Sequence, residues 1–269
     1  MIEYKEKCYK LIDFMEKVSK NDIVVAFSGG VDSSLLLKLA CESAFKNKTK
    51  VYAITIHTSL NRVKEKHLTA ELAKKMGAIH KIINIDIFSE GGIADNPRER
   101  CYICKKIMFE KVCEFAKSVG VKTIVEGTNY DDLHAHRPGI KALTESGIIS
   151  PLADVQMSKK EVRMLAEEHN VSTSQRPSTP CLATRFEYGM KLDETELQKV
   201  EKAEEFVKSL GFYNVRVRVH NLVARIEVDS NDIPELLKHR KDIISYMHKL
   251  GYKYVTADLE GFVSGSMDR

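Results

Sequence analysis

Ala26-Phe27-Ser28-Gly29-Gly30-Val31-Asp32-Ser33-Ser34 stands between an apolar run, residues 22–27, and a periodic one through Leu35, Leu36, Leu39 and Ala40. The pattern reads as a buried strand, a tight turn and a helix. Gly29 and Gly30 let a ligand approach the backbone, and the N–H groups at a helix start carry partial positive charge. Ser28 to Ser34 is therefore a phosphate-binding loop, with an ordinary glycine turn as the bland alternative. It is not a Walker A loop, because no Lys-Ser or Lys-Thr follows the glycines. Asp32 has a second explanation, as the cap of the helix.

Working outward, apolar positions from Tyr4 to Val18 recur at helical spacing. Strands are predicted at 51–57, 81–85 and 122–126, and helices at 61–76 and 104–119, with a loop at 86–100 containing Gly91, Gly92 and Pro97. Ser158 and Glu161 have capping-box spacing and open another helix. Strands that alternate with helices predict an α/β fold with a doubly wound parallel sheet. Residues 170–190, broken by Pro177, Pro180 and Gly189, form the joint to a second, smaller α+β domain. That domain has a helix at 193–210, strands at 215–219 and 222–228, a helix at 232–250 and a strand at 252–257. The expected division is 1–185 for the domain that carries the phosphate loop and 186–269 for the smaller one.

The 269 residues are 43% hydrophobic and 30% charged, enough to bury a core, so disorder is excluded. A net charge of +4 tolerates an anionic substrate without demanding a long nucleic-acid footprint, so charge alone decides nothing about RNA. No apolar run reaches bilayer length, and the charged start Met1 to Lys10 lacks a signal-peptide core, so a cytoplasmic protein without a membrane partner is expected. Six cysteines in such a compartment are core residues, metal ligands or nucleophiles instead of a disulfide framework.

Cys8, Cys41 and Cys113 fall on apolar helical stripes and read as core. Cys101 and Cys104 stand at a loop-to-helix boundary, where a helix end lowers thiol pKa, and Cys181 lies in the irregular joint. Three thiols leave three readings open: an iron-sulfur cluster with one open iron, zinc completed by a histidine such as His57 or His134, or bare thiols with Cys181 as sulfur donor. His134 and His136 share one face of an extended segment, although a polar loop explains them as well. Arg216 and Arg218 alternate with Val215, Val217 and Val219, so both project from one strand face where they can clamp a phosphate, or else lie solvated. Arg185 can add a third cation, while Glu227 can orient an arginine or form a cross-strand ion pair. Glu126 and Asp132, beside Gly127, are weaker candidates.

The stretch from Ala26 to Ser33 resembles the pyrophosphatase-loop ATPases, which split ATP into AMP and pyrophosphate. That resemblance implies adenylation of an oxygen atom, a magnesium ion held with help from Asp32, and adenosine contacts near Thr55 and Gly127. Three further segments are similar to LarE, the sulfur insertase family of nickel-pincer nucleotide synthesis: Asn96-Pro97-Arg98-Glu99-Arg100-Cys101-Tyr102-Ile103-Cys104, residues 180–189, and Asp258-Leu259-Glu260-Gly261-Phe262-Val263-Ser264-Gly265-Ser266-Met267. This likeness implies that a carboxylate of pyridinium-3,5-biscarboxylate mononucleotide is adenylated and becomes a thiocarboxylate. It also implies a homo-oligomer and a sulfide source. One branch of the family sacrifices a cysteine matching Cys181; the three-cysteine pattern places this chain in the branch thought to carry a 4Fe-4S cluster on Cys101, Cys104 and Cys181. The rivals are a tRNA thiolase, whose substrate is a base, and a nucleotide or iron-sulfur sensor that does not turn over.

Overall fold

The computed structural model describes residues 2–134, 139–177, 179–263 and Met267. His136, Ser178 and Ser264-Gly265-Ser266, which bear on the motifs above, lie outside the described residues. The chain divides into two compact units. The first comprises Met1–Thr58, Val63–Gly91 and Glu99–Thr179, and the second Ser59–Arg62, Gly92–Arg98 and Pro180–Arg269.

The first unit is built on four parallel strands, β1 (Ile23–Ala26), β2 (Val51–His57), β3 (Ile79–Asn84) and β4 (Thr123–Val125), in the order β3-β2-β1-β4. β1 is central because its residues are apolar on both faces, and Ile23, Val24 and Val25 are wholly buried. On one face Val25 packs with Leu11 and Met15 of the helix Ile2–Val18, Leu35, Leu36 and Leu39 of Val31–Asn47, and Val162 and Leu165 of Lys159–Glu168. On the other, Val24 and Ile54 meet Val112 and Ala116 of the helix Arg100–Ser118. Helices on both faces make the expected doubly wound α/β sheet. The chain runs outward from β1 to β3 and then returns to place β4 on the opposite side of β1. This reversal opens a crevice at the carboxyl ends of β1 and β4, where ligands of such sheets bind.

The second unit pairs β5 (Val215–His220) antiparallel with β6 (Val223–Val228), and β7 (Tyr254–Ala257) parallel with β6. Asp193 caps the helix Glu194–Ser209 by accepting from Glu196 N at 2.8 Å. The single helix expected over 232–250 is two, Ile233–Lys238 and Arg240–Lys249. His239 N bonds to Leu236 O, a tighter turn that ends the first helix before the second begins. The helix expected from 104 starts at Arg100, so Cys101 shares its first turn with Cys104, and the expected loop 86–100 holds a short helix, Ile87–Gly91.

Candidate active site

Where β1 ends, Ser28 to Ser33 fold back on themselves. Ser33 Oγ accepts from Ser28 N at 3.2 Å and donates to Gly30 O at 3.2 Å, and the Ser28 and Ser33 hydroxyls stand 3.1 Å apart. Gly29 takes φ +74°, in the left-handed region that favours glycine. A Cβ there would lie 2.9 Å from Thr69 Cγ2. Gly30 is the N-cap of the helix and provides no side-chain cap, which keeps the helix start available to an anion.

Asp32 is not that cap. It sits inside the first turn, and its carboxylate is ion-paired with Lys159 Nζ and accepts from Asn129 Nδ2 at 3.1 Å. Lys159 is held in place because it opens the helix capped by Ser158, where Ser158 and Glu161 form the expected capping box and Lys159 N bonds to Asp131 Oδ2 at 2.8 Å. Asn129 follows Gly127 at the end of β4, and Gly127 lies so close to the loop that a Cβ would come within 2.8 Å of Ser33 N. The turn after β4 is fixed by the buried Glu126 carboxylate, which accepts from Thr128 N at 2.9 Å, Thr128 Oγ1 at 2.8 Å and Ser150 Oγ. Asp132 accepts from Asn129 N at 3.2 Å. Both acidic residues thus shape the crevice wall.

Thr55, near the end of β2, donates to Phe27 O at 2.8 Å and lies 2.9 Å from His80 Nε2. Burial lowers the His80 pKa, so the imidazole is neutral at pH 7. Arg176 reaches Gly29 O at 3.2 Å while pairing with Glu65. Neither Lys159 nor Arg176 carries a signal in the sequence. The first is separated from Asp32 by 127 positions and the second from Gly29 by 147, so no local spacing marks either contact.

Thiol positions separate by environment. Burial raises the pKa of Cys8 and Cys113 and pushes Cys41 up to about 12, which makes these core thiols inert. Cys101 is exposed and Cys104 buried in the first unit, whereas Cys181 is half-buried in the second. Among the described residues no group of three or more His, Cys, Asp or Glu is gathered to hold a metal ion. His57 is depressed by burial and by Lys66. The ring of His134 stacks edge-on to Tyr130.

Cys181 caps a 3-10 turn, Leu182–Arg185, and its carbonyl accepts from Thr184 Oγ1 at 2.8 Å and Arg185 Nη1 at 3.2 Å. From that turn a buried ionic network spreads across the second unit. Arg185 is fully buried and bonds to Glu204 through Nε at 2.8 Å, and Arg62 pairs with the same carboxylate. Burial alone would raise Glu204, yet Arg185, Arg62 and Val217 N hold it at about 2. Arg218 grips Glu227 through two bonds of 3.0 Å and donates to Thr184 O. Arg225 shares Glu227 at 3.3 Å.

Arg216 lies 4.9 Å over the Phe262 ring, and burial, reinforced by the neighbouring Arg185, lowers its pKa to about 10. Arg216 and Arg218 are 6% and 5% exposed, so the solvated outer face considered from their spacing does not exist. Lys208 is lowered by burial and by Arg62. The network thus brings Arg62, Arg185, Arg216 and Arg218 together around Glu204 and Glu227, a set in which Glu204 and Arg62 had no signal in the sequence.

Among the described residues no helix is long and apolar enough to cross a membrane. The PP-loop domain family matches residues 4–134, which hold the phosphate loop and its sheet. Similarity to the glutamine-hydrolyzing GMP synthase of Elusimicrobium minutum, 28% identical over 161 residues, covers 58% of this chain and 29% of that protein. By contrast, an uncharacterized protein of Methanocaldococcus jannaschii is 35% identical over 247 residues, 91% of this chain and 92% of its own. Pyridinium-3,5-bisthiocarboxylic acid mononucleotide synthase of Lactiplantibacillus plantarum is 33% identical over 246 residues, 91% of this chain and 88% of its own. Likeness of that extent takes in both the phosphate-loop sheet and the arginine network, and the chain belongs to the LarE family of PP-loop, ATP-dependent enzymes.

Proposed function

We propose that the protein is a sulfurtransferase that adenylates a carboxylate of pyridinium-3,5-biscarboxylate mononucleotide and converts it to a thiocarboxylate. The observation that carries this reading is near-full-length similarity to a synthase of that chemistry, joined to an uncapped, glycine-lined helix start beside Asp32 and Lys159. In the first step the carboxylate oxygen attacks the α-phosphorus of ATP, and the bond to pyrophosphate breaks. Ser28, Gly29, Gly30, Ser33 and Ser34 hold the departing pyrophosphate, with Ala26, Thr55 and Gly127 bordering the nucleoside. Asp32 offers hard oxygen donors suited to the magnesium that accompanies ATP. Lys159 exchanges Asp32 for phosphate oxygens as charge develops. Sulfide then attacks the acyl carbon, the bond to AMP breaks and the sulfide proton passes to solvent.

The substrate phosphate is assigned to the arginine network, where Arg185, Arg216 and Arg218 supply cations and Glu227 orients Arg218. Sulfur handling falls to Cys101, Cys104 and Cys181 as ligands of a 4Fe-4S cluster, which would supply sulfide when bound; the cysteine pattern and the family likeness support this assignment. A cytoplasmic homo-oligomer fed by an external sulfide source completes the reading.

Pyrophosphate release tests the activity directly. It is expected only with ATP and the pyridinium nucleotide, to need no RNA, and to disappear in Asp32→Ala. Release that requires tRNA, or full activity of Asp32→Ala, overturns the assignment. Iron and acid-labile sulfide in anaerobically purified protein test the cluster, while a polypeptide about 34 Da lighter after turnover, the mass of hydrogen sulfide lost from cysteine, would replace it with sacrifice of Cys181.

A further inference from the structure

Arg176 stands at the phosphate loop and takes no part in the steps above. Its Nη1 donates to Gly29 O at 3.2 Å, and its Nη2 donates to Glu65 Oε1 at 2.5 Å. The main chain that carries it is fixed from the same unit. Arg163, on the helix Lys159–Glu168, donates through Nη2 to Arg176 O at 2.8 Å and through Nη1 to Ser174 O. Arg176 N bonds to Thr173 O at 3.0 Å, and Pro177 disfavours helical backbone at the residue before it. Glu65 lies in the first turn of the helix Val63–Met76, one turn before Thr69, the side chain that faces Gly29. The side chains of Arg176 and Glu65 are 26% and 20% exposed, so a solute at the loop can reach both.

We infer, on the reading that ATP docks at this loop, that Arg176 is a ligand of its β- and γ-phosphates and that Glu65 holds the guanidinium in place until they arrive. A partly exposed ion pair contributes little, so Arg176 leaves Glu65 at small cost. The triphosphate offers more negative charge than one carboxylate, and its oxygens match the planar guanidinium in paired bonds. Arg176 meets the loop at Gly29, in the stretch assigned to the departing pyrophosphate, so its charge falls on the leaving group and not on the nucleoside. Because Arg163 ties down the backbone on either side, only the side chain has to turn. The bond to Gly29 O also has a purely structural explanation, a strut that steadies the loop. The two roles part at Glu65: a strut weakens when its ion pair is removed, whereas a phosphate ligand is released.

Titration calorimetry of the full-length protein with magnesium and ATP, pyrophosphate or AMP, without the pyridinium nucleotide, tests the inference. Arg176→Ala should weaken ATP and pyrophosphate by about tenfold or more, as loss of a charge-assisted hydrogen bond does, and leave AMP within about twofold. Arg176→Lys keeps the charge without the planar fork and should recover part of the loss. Glu65→Gln should tighten ATP about threefold, because the guanidinium no longer has a carboxylate to leave. Equal weakening of ATP and AMP in Arg176→Ala, or weaker ATP binding in Glu65→Gln, makes Arg176 a strut and overturns the inference. Wild-type protein that binds no ATP overturns the phosphate loop and Arg176 together, while normal wild-type binding with Arg176→Ala unaffected overturns Arg176 alone.

Discussion

Replacing Gly127 by alanine tests whether the turn after β4 and the phosphate loop form one machined contact. The new methyl would lie 2.8 Å from Ser33 N, 3.1 Å from Asp32 Cβ and 3.2 Å from Asp32 C, all atoms that cannot swing aside as a long side chain does. Ordinary contact needs about 3.4 Å or more, so the two segments must separate by about 0.6 Å. Overpacking of this kind costs about 1–3 kcal/mol. At about 2–4 °C per kcal/mol for a chain of this size, a change of about 2 kcal/mol lowers Tm by about 4–8 °C. The displacement falls on Asp32, the proposed magnesium ligand, and on Asn129, which donates to it, so pyrophosphate release should fall about tenfold to 100-fold. Gly147→Ala is the control: its φ of +70° adds backbone strain, but nothing lies within 4 Å of its Cβ, so stability should drop and the rate should not. Thermal unfolding followed by circular dichroism, paired with a pyrophosphate assay, separates the two effects. Gly127→Ala with wild-type Tm and a rate within about twofold would refute the contact as described.

Lys159→Ala should reduce pyrophosphate release about 100-fold, the cost of losing one preorganised charge, while Tm changes little because its ion pair with Asp32 is partly exposed. Gly30→Asp gives the helix the side-chain cap it lacks; with φ of −75° and its Cβ 3.4 Å from Ser28 Oγ the change fits, so Tm should hold or rise slightly while ATP affinity collapses, measured by calorimetry. Glu204 has its pKa depressed from 4.5 to about 2, so it contributes stability that is present above pH 4.5 and lost as pH falls through 2. Glu204→Gln should cost about 3 kcal/mol near neutral pH, since two buried arginines lose their anion, and should flatten the acid limb of stability measured by denaturant titration.

What the sequence disclosed and what it withheld divide along one physical line. The phosphate loop was legible because anion binding at a helix start needs contiguous residues, and a strand, two glycines and two serines in a row have few other uses. The capping box of Ser158 and Glu161 was legible for the same reason, its partners being three positions apart. The reading of Asp32 as a cap applied that same local logic and failed, since a glycine holds the cap position and the carboxylate is directed instead to Lys159 and Asn129, 127 and 97 positions away. The arginines of β5 do share one strand, yet their setting depends on Glu204 from the preceding helix and Arg62 from a segment 142 residues from Glu204. The failure at Asp32 is itself informative. A side-chain cap would occupy the N–H groups that an anion must reach, and a carboxylate there would repel it. With glycine at the cap and the acidic group paired with a lysine, the helix start keeps its positive potential, and in the proposed mechanism that lysine turns to the arriving phosphate. The local rule for helix stability and the requirement for phosphate binding are opposed at this one turn, and the residues present satisfy the second.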